Sequence, residues 1–323
     1  MYRQGKDLED HALTVFNIGF ENGGPSGLVY GYILVWAGTA SIFASLSELA
    51  SMAPTSAGQY HWVSMLAPRS SQKFLSYITG WLTAWGWQAF IASPFYLSAT
   101  LVQGLIVLTR PTYEPKPWQA VLLFWASISV AVFINAVIGR LLPRFESFIL
   151  ILHILGFFAV LFPLVVFGPH QQASEVFGTF LNKGNWPTQG LSFMIGIVGT
   201  VFAFGGGDGA IHMSEEIQNA SLVVPRSLMT SIFINGSLGF GMLIMTLFSL
   251  HDIDAAQNSP TGYPFMQIFL RSTSSVAGAA FMASIITTMQ FCANVGLLAS
   301  ASRIVDYRVG VYCNTSTHAL RSQ

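Results

Sequence analysis

Seven stretches of the chain contain no Asp, Glu, Lys or Arg: residues 23–47, 74–109, 117–139, 147–174, 184–207, 227–250 and 272–302. Each is long enough to cross a bilayer, which takes about 20 apolar residues as helix. The pattern predicts an all-α membrane protein with about seven transmembrane helices. In the first stretch Gly27, Gly31, Gly38, Ser41 and Ser45 fall on one helix face, and Gly27 with Gly31 make a small-xxx-small contact. The second is 36 residues long, so it must tilt or overshoot, with a kink available at Pro94. Gln88 lies mid-span, where an interhelical hydrogen bond and a cavity-facing role are both open, and it is carried as a candidate substrate contact. Between the first two spans, residues 48–62 are apolar and aromatic, which suits a segment along the membrane interface with Tyr60 and Trp62 at headgroup level. His153, inside the fourth span, reads as a packing histidine.

The fifth stretch departs from the others. Gly190 to Phe204 form an uncharged helix with Ser192, Gly196, Gly199 and Ala203 on one face. Then come Gly205, Gly206, Gly207, Asp208 and Gly209 before apolar residues resume at Ala210 and Ile211. Glycines at that density carry a large entropic cost in a helix, and the run begins about 15 residues after Gly190, short of a full span. The expectation is two helices, 190–204 and 210–219, joined by turn or extended backbone over 205–209. A C-terminal glycine cap opening into a polar loop in water is the bland alternative. Irregular backbone at membrane depth is tolerated only inside protein or along a water-filled cavity. Carbonyls ending the first half-helix would attract a cation, amides opening the second near Ala210 an anion, and Asp208 adds a carboxylate between them. Phe204, Gly205, Gly206, Gly207, Asp208, Gly209, Ala210 and Gln88 are therefore the candidate substrate-binding residues.

Composition fits this picture: 9% charged, 52% apolar, mean hydropathy +0.55, against roughly 25% charge in a soluble domain. The net charge is zero, with no basic cluster, so nucleic acid is not an expected partner. Cys292 and Cys313 make neither a disulfide framework nor a metal site, and the seven histidines show no ligand spacing. No metal or cofactor is expected. Arg3, Lys6, Asp7, Glu9 and Asp10 precede any apolar run, unlike a cleavable signal peptide. Alternate connectors hold Arg69, Lys73, Arg140, Arg144, Arg226, Arg303, Arg308 and Arg321 on one side and Arg3, Lys6, Arg110, Lys116, Lys183 and Arg271 on the other. The small bias puts the first set in the cytoplasm, which makes the sequon Asn219-Ala-Ser221 a chance match.

Phe204 through Ala220, followed by Val224-Pro-Arg-Ser227, resembles the broken sixth helix and following loop of amino acid/polyamine/organocation transporters, and more narrowly of the fungal amino acid, GABA and choline permeases. Asn22 to Gly31 and Glu48 to Trp62, with Pro54-Thr-Ser-Ala-Gly-Gln-Tyr60, resemble that family's second helix and its exit loop. Gly80-Trp81 and Pro260-Thr-Gly-Tyr-Pro264 fit as well. The resemblance covers roughly 18–303. It implies part of a five-plus-five inverted-repeat bundle, in which two broken helices cradle the substrate. Residues 1–22 then read as a polar tail with a short apolar stub, 23–303 as an incomplete transmembrane permease domain, and 304–323 as a C-terminal tail. On that reading the chain is a truncated permease, expected not to catalyse uptake when expressed alone.

The function expected is secondary transport of an amino acid or a related small amine such as GABA or choline, with the bilayer and a coupling proton as further partners. Glu215, Glu216 and Arg226 are either gating charges at the cytoplasmic mouth or an ordinary solvated loop. A seven-helix membrane receptor is the alternative, since the spans number seven, but it has no need of a broken helix. Enzyme activity is not expected, because no nucleophile–base pair, metal-ligand pair or phosphate loop is present. A multi-pass protein of the plasma membrane or of an internal membrane such as the vacuole follows.

Overall fold

The computed structural model describes residues 14–138, 142–250, 255–256 and 259–321, with side chains over 18–138, 147–250, 255–256 and 259–304. The charged residues Arg3 to Asp10 and Arg140, and the side chains of Arg144, Arg308, Cys313 and Arg321, lie outside these. In chain order the helices are α1 Thr14–Met52, α2 Gln59–Leu66, α3 Gln72–Thr109, α4 Pro117–Val137, α5 Leu142–Phe167, α6 Ala173–Gly178, α7 Gln189–Ala203, α8 Gly209–His212, α9 Ala220–Phe248, α10 Pro264–Thr273 and α11 Val276–Arg321. The described residues contain no strand.

Six of these helices are long and apolar enough to cross a membrane: Ile18–Met52, Gln72–Thr109, Pro117–Val137, Ser147–Phe167, Ala220–Phe248 and Val276–Ile304. The seventh expected span is α7, which has only 15 residues. Large apolar side chains stand exposed along α4 and α5, among them Leu122, Trp125, Phe133, Leu155 and Phe162. Such faces are costly in water and suited to lipid. The protein is thus a multi-pass integral membrane protein.

Several boundaries move from those expected. The first helix extends past residue 47 to Met52, carrying Glu48 on its last turn. The fourth span stops at Phe167 rather than 174, and a short helix, α6, follows it. Helix α9 begins at Ala220, upstream of the expected start at 227, and contains Pro225. Proline so near a helix start removes a single intrahelical hydrogen bond, which one extra turn tolerates. Residues 272–275 are not part of the last span: Ser274 adopts a left-handed conformation (φ 49°) that ends α10 before α11 starts. Helix α11 runs on to Arg321, through the segment read as a tail.

By packing, the chain divides into two compact units. The first lies within Met1–Thr39, Pro94–Gly205 and Ile234–Ala293, the second within Ala40–Ser93, Gly206–Phe233 and Asn294–Gln323. The core of the first unit is built from Phe20, Leu28, Val29, Leu101, Leu164, Leu247, Met266, Phe269 and Met282.

In that unit α1 is interrupted at Gly24, whose φ of 69° and ψ of −172° leave the helical region. The freed backbone is taken up by the α6–α7 connector: Ser26 N–H donates to Thr179 O (3.2 Å), Leu181 N–H to Gly23 O (3.3 Å) and Lys183 N–H to Glu21 O (2.9 Å). The Ser26 hydroxyl adds a bond to Val176 O at 3.2 Å. A Cβ on Gly24 would sit 2.8 Å from both Leu181 N and Thr179 O. Gly24→Ala therefore combines a disfavoured φ with a backbone clash and is expected to cost about 1–3 kcal/mol. Gly38, with nothing within 4 Å of its Cβ position, is the control. Thermal unfolding in detergent should show a lowered midpoint for G24A and little change for G38A.

Candidate functional site

Helix α7 is opened by Thr188, whose hydroxyl accepts from Leu191 N–H at 3.1 Å. Ser192, Gly196, Gly199 and Thr200 are buried on it. Three of the four small residues expected on the packed face are there; Ala203 is exposed, and Thr200 takes the fourth place. The contact is with α1. The Ser192 hydroxyl donates to Asn22 O at 2.6 Å, and a Cβ on Gly19 would stand 3.2 Å from Gly196 O. Gly31 packs on Ile197 and Gly27 on Phe193. The stripe reaches no further, since Gly38, Ser41 and Ser45 are exposed.

The helix then stops. Phe204 N–H turns back to Val201 O (3.2 Å) and Gly205 N–H to Phe202 O (3.0 Å), so two of the carbonyls expected to face a cation are occupied by the turn itself. The Phe204 ring packs on Tyr32, with centroids 5.2 Å apart, and the Tyr32 hydroxyl donates to Gly236 O at 3.0 Å. Gly205 is exposed.

The second unit holds the remainder of the run. Gly206 has φ 79°, and a Cβ there would meet Leu297 Cδ2 at 2.8 Å and Phe90 Cε1 at 2.9 Å. On Gly207 it would meet Phe43 Cζ at 2.6 Å, and on Gly209 the Ser300 hydroxyl at 2.9 Å. Both left-handed backbone and close aromatic packing thus require glycine. The helix breaks at 204–208, one residue earlier than the expected 205–209, and the helix expected over 210–219 does not form: α8 has four residues, and a 3₁₀ turn, Ser214–Glu216, follows. A single turn has too few aligned amides to act as the strong anion-attracting end that was expected.

Asp208 precedes α8, half-buried, and its Oδ2 accepts from Gln59 Nε2 at 3.1 Å. His212 lies four residues on, only 1% exposed, with Nε2 3.9 Å from the same oxygen. His212 Nδ1 is 2.9 Å from the Ser56 carbonyl, and its ring meets Trp87 edge-on at 5.5 Å. Ala210 is half-buried.

Gln88 is exposed; Trp87, one position earlier, is buried and contacts this segment. A long helix without an amphipathic stripe gives no phase by which to tell the two apart. Of the three expected gating charges, Glu215 accepts from the Ser56 hydroxyl at 2.6 Å and from Ser56 N–H at 3.3 Å. Glu216 pairs with Arg303, Nε to Oε1, at 2.8 Å. Arg226 is exposed on α9, and the arginine that meets Glu216 is Arg303. Gln59, His212, Ser56, Trp87 and Arg303 were not singled out in the sequence. Asp208 and His212 were visible there as an i, i+4 pair, whereas Ser56 and Gln59 are distant along the chain. Among the described residues no three His, Cys, Asp or Glu side chains gather as a metal ion would require.

A multi-pass helical protein with a helix broken at a glycine run beside a half-buried carboxylate shows the discontinuous-helix arrangement of transporter folds. The family model for amino acid permeases matches residues 12–307, and the chain belongs to that family. It is 33% identical over 90% of its length to a Macrophomina phaseolina protein named as an amino acid/polyamine transporter, and 32% over 84% to the choline transporter of Saccharomyces cerevisiae. It is 25% identical over 90% of its length to amino-acid permease 2 of Neurospora crassa. The chain covers 64%, 49% and 54% of those relatives. The permease family decides against the seven-helix receptor.

The two glutamates differ in strength. Ser56 is 5% exposed and Glu215 exposed, so Ser56→Ala removes a half-buried, charge-assisted bond and should cost about 1–3 kcal/mol. The Glu216–Arg303 pair is 51% and 30% exposed and should contribute at most about 1 kcal/mol, falling as salt is added. Unfolding of S56A and R303A in detergent at low and high salt tests the difference.

Proposed function

We propose that this chain carries the substrate-binding break of a secondary transporter for amino acids or related small amines such as GABA or choline. The observation that carries the reading is Asp208, a carboxylate held half-buried where a membrane helix gives way to a glycine run. Gly206, Gly207, Gly209 and Ala210 form the irregular backbone around it, and Phe204 and Gly205 precede them in the chain. Charge on Asp208 favours a cationic amine. Phe43, Phe90 and Trp87, packed on Gly206, Gly207 and Gly209, supply aromatic rings of the kind that attract alkylammonium groups. That set also suits choline, which brings no carboxylate, and one relative is named a choline transporter. Gln88 has no part in this reading.

Glu215 and Glu216 act as gating charges by fixing the turn after α8 to Ser56 and Arg303 within the second unit. That turn and the 53–58 connector belong to the side that the Lys and Arg count assigns to the cytoplasm. The membrane is the plasma membrane or an internal one such as the vacuole, and a proton is the coupling ion.

Binding of labelled GABA, choline and amino acids to the purified chain in lipid nanodiscs tests the reading without requiring a complete transport cycle. At least one should bind saturably, and Asp208→Asn should weaken it about tenfold, the equivalent of roughly 1.4 kcal/mol, while Gln88→Ala leaves it unchanged. Equal affinity in D208N, or no saturable binding, would contradict it.

A further inference from the structure

His212 is among the most buried polar side chains of the second unit, 1% exposed, yet one of its ring nitrogens is unused. Its Nδ1 lies 2.9 Å from the Ser56 carbonyl. A carbonyl only accepts, so Nδ1 carries the hydrogen, and in the neutral ring Nε2 is an acceptor. Among the described residues that Nε2 has no hydrogen-bond partner, and neither does Oε1 of Gln59. The neighbour of Nε2 is another acceptor, Asp208 Oδ2, at 3.9 Å. Gln59 already spends its amide on the same oxygen. The position therefore holds a surplus of acceptors and lacks one hydrogen.

The geometry points to a proton-binding site on His212 Nε2, shared toward Asp208 Oδ2. Protonation adds one N–H on Nε2 and breaks no other bond. It turns two facing acceptors into a donor–acceptor pair that closes to charge-assisted hydrogen-bond distance. Resting on the reading of the break as the substrate site, the consequence is that a proton decides what Asp208 offers an amine. With His212 neutral the carboxylate charge is available; with His212 protonated it is engaged by the imidazolium.

Few other ionisable groups surround the ring. Its own segment brings Asp208 and Glu215, the latter held by Ser56, with the Glu216–Arg303 pair beyond. The connector contributes Ser56 and Gly58, α3 Trp87 and α11 Ser300, none of which titrates. Helix α2 carries Gln59 together with half-buried Tyr60 and His61. The ring is also held in place: a Cβ on Gly58 would lie 3.2 Å from His212 Cε1.

The edge-on contact with Trp87 at 5.5 Å supplies a reporter, because imidazolium quenches indole fluorescence more strongly than neutral imidazole. The full chain in nanodiscs should show a step in tryptophan emission below the usual imidazole range, because burial disfavours the imidazolium. The step should vanish in both H212Q and W87F. In D208N its midpoint should fall further, since loss of the carboxylate charge disfavours the imidazolium. Circular dichroism verifies the helix content of each variant, and D208N alone decides if H212Q fails to fold. Absence of a step in the wild type, a step that survives H212Q, or an unmoved midpoint in D208N would overturn the proposal. Because only protons are titrated, the outcome is separate from whether GABA, choline or an amino acid binds.

Discussion

A backbone inside a bilayer must satisfy its own N–H and C=O groups, and two breaks among the described helices are arranged around that demand. At Gly24 the groups released from α1 are taken by residues 176–183, which lie beside it like a short paired strand. At Gly205 and Gly206 the solution differs. Tight turns close onto Val201, Phe202 and Gly206 carbonyls, and Phe90 and Leu297 press on Gly206, and Phe43 on Gly207, so closely that no Cβ fits there. The first break is closed by backbone pairing. The second is closed less completely, and among the described residues His212 Nε2 and Gln59 Oε1 lie near it without a hydrogen-bond partner.

Glycine has two separate roles in this arrangement. In α1 and α7 it lets helix backbones approach, as between Gly19 and Gly196, where dispersion and close packing replace a hydrophobic driving force that lipid does not provide. At Gly24 and Gly206 it adopts positive φ. A substitution in the first group costs packing; one in the second also costs backbone strain. The polar contacts around the second break divide similarly. The buried Ser56 fixes the segment through Glu215 and His212, while the half-exposed Glu216–Arg303 pair is weak enough to open.

The six long helices and the break of the seventh were legible in the sequence because length, charge depletion and glycine density are local properties. So was Asp208, a lone carboxylate in an apolar setting. The Gly24 interruption was not, since Gly24-Pro25 can sit inside a helical run and its partners are some 150 residues away. The length of the second half-helix was misjudged because apolar residues after Asp208 satisfy helical composition, while His212 turns toward Ser56, 156 residues distant. Polarity marks Gln88 as a candidate, but it says nothing of the direction a side chain takes on a helix exposed on several sides. Arg303 lay one residue past an uncharged stretch and counted only toward orientation, whereas contact with Glu216 is a tertiary fact.

The central claim is that the backbone at 204–208 faces a polar, substrate-accessible space and not lipid. Single cysteines at Gly205 and, as a lipid-facing control, at exposed Val198, in a background with Cys292 and Cys313 replaced by serine, permit a direct measurement of reaction with a membrane-impermeant cationic thiosulfonate. The account predicts that the cysteine at 205 reacts, that the bound amine slows it, and that the cysteine at 198 stays silent. Lack of reaction at 205 under conditions where a cysteine in the 53–58 connector is labelled would contradict it.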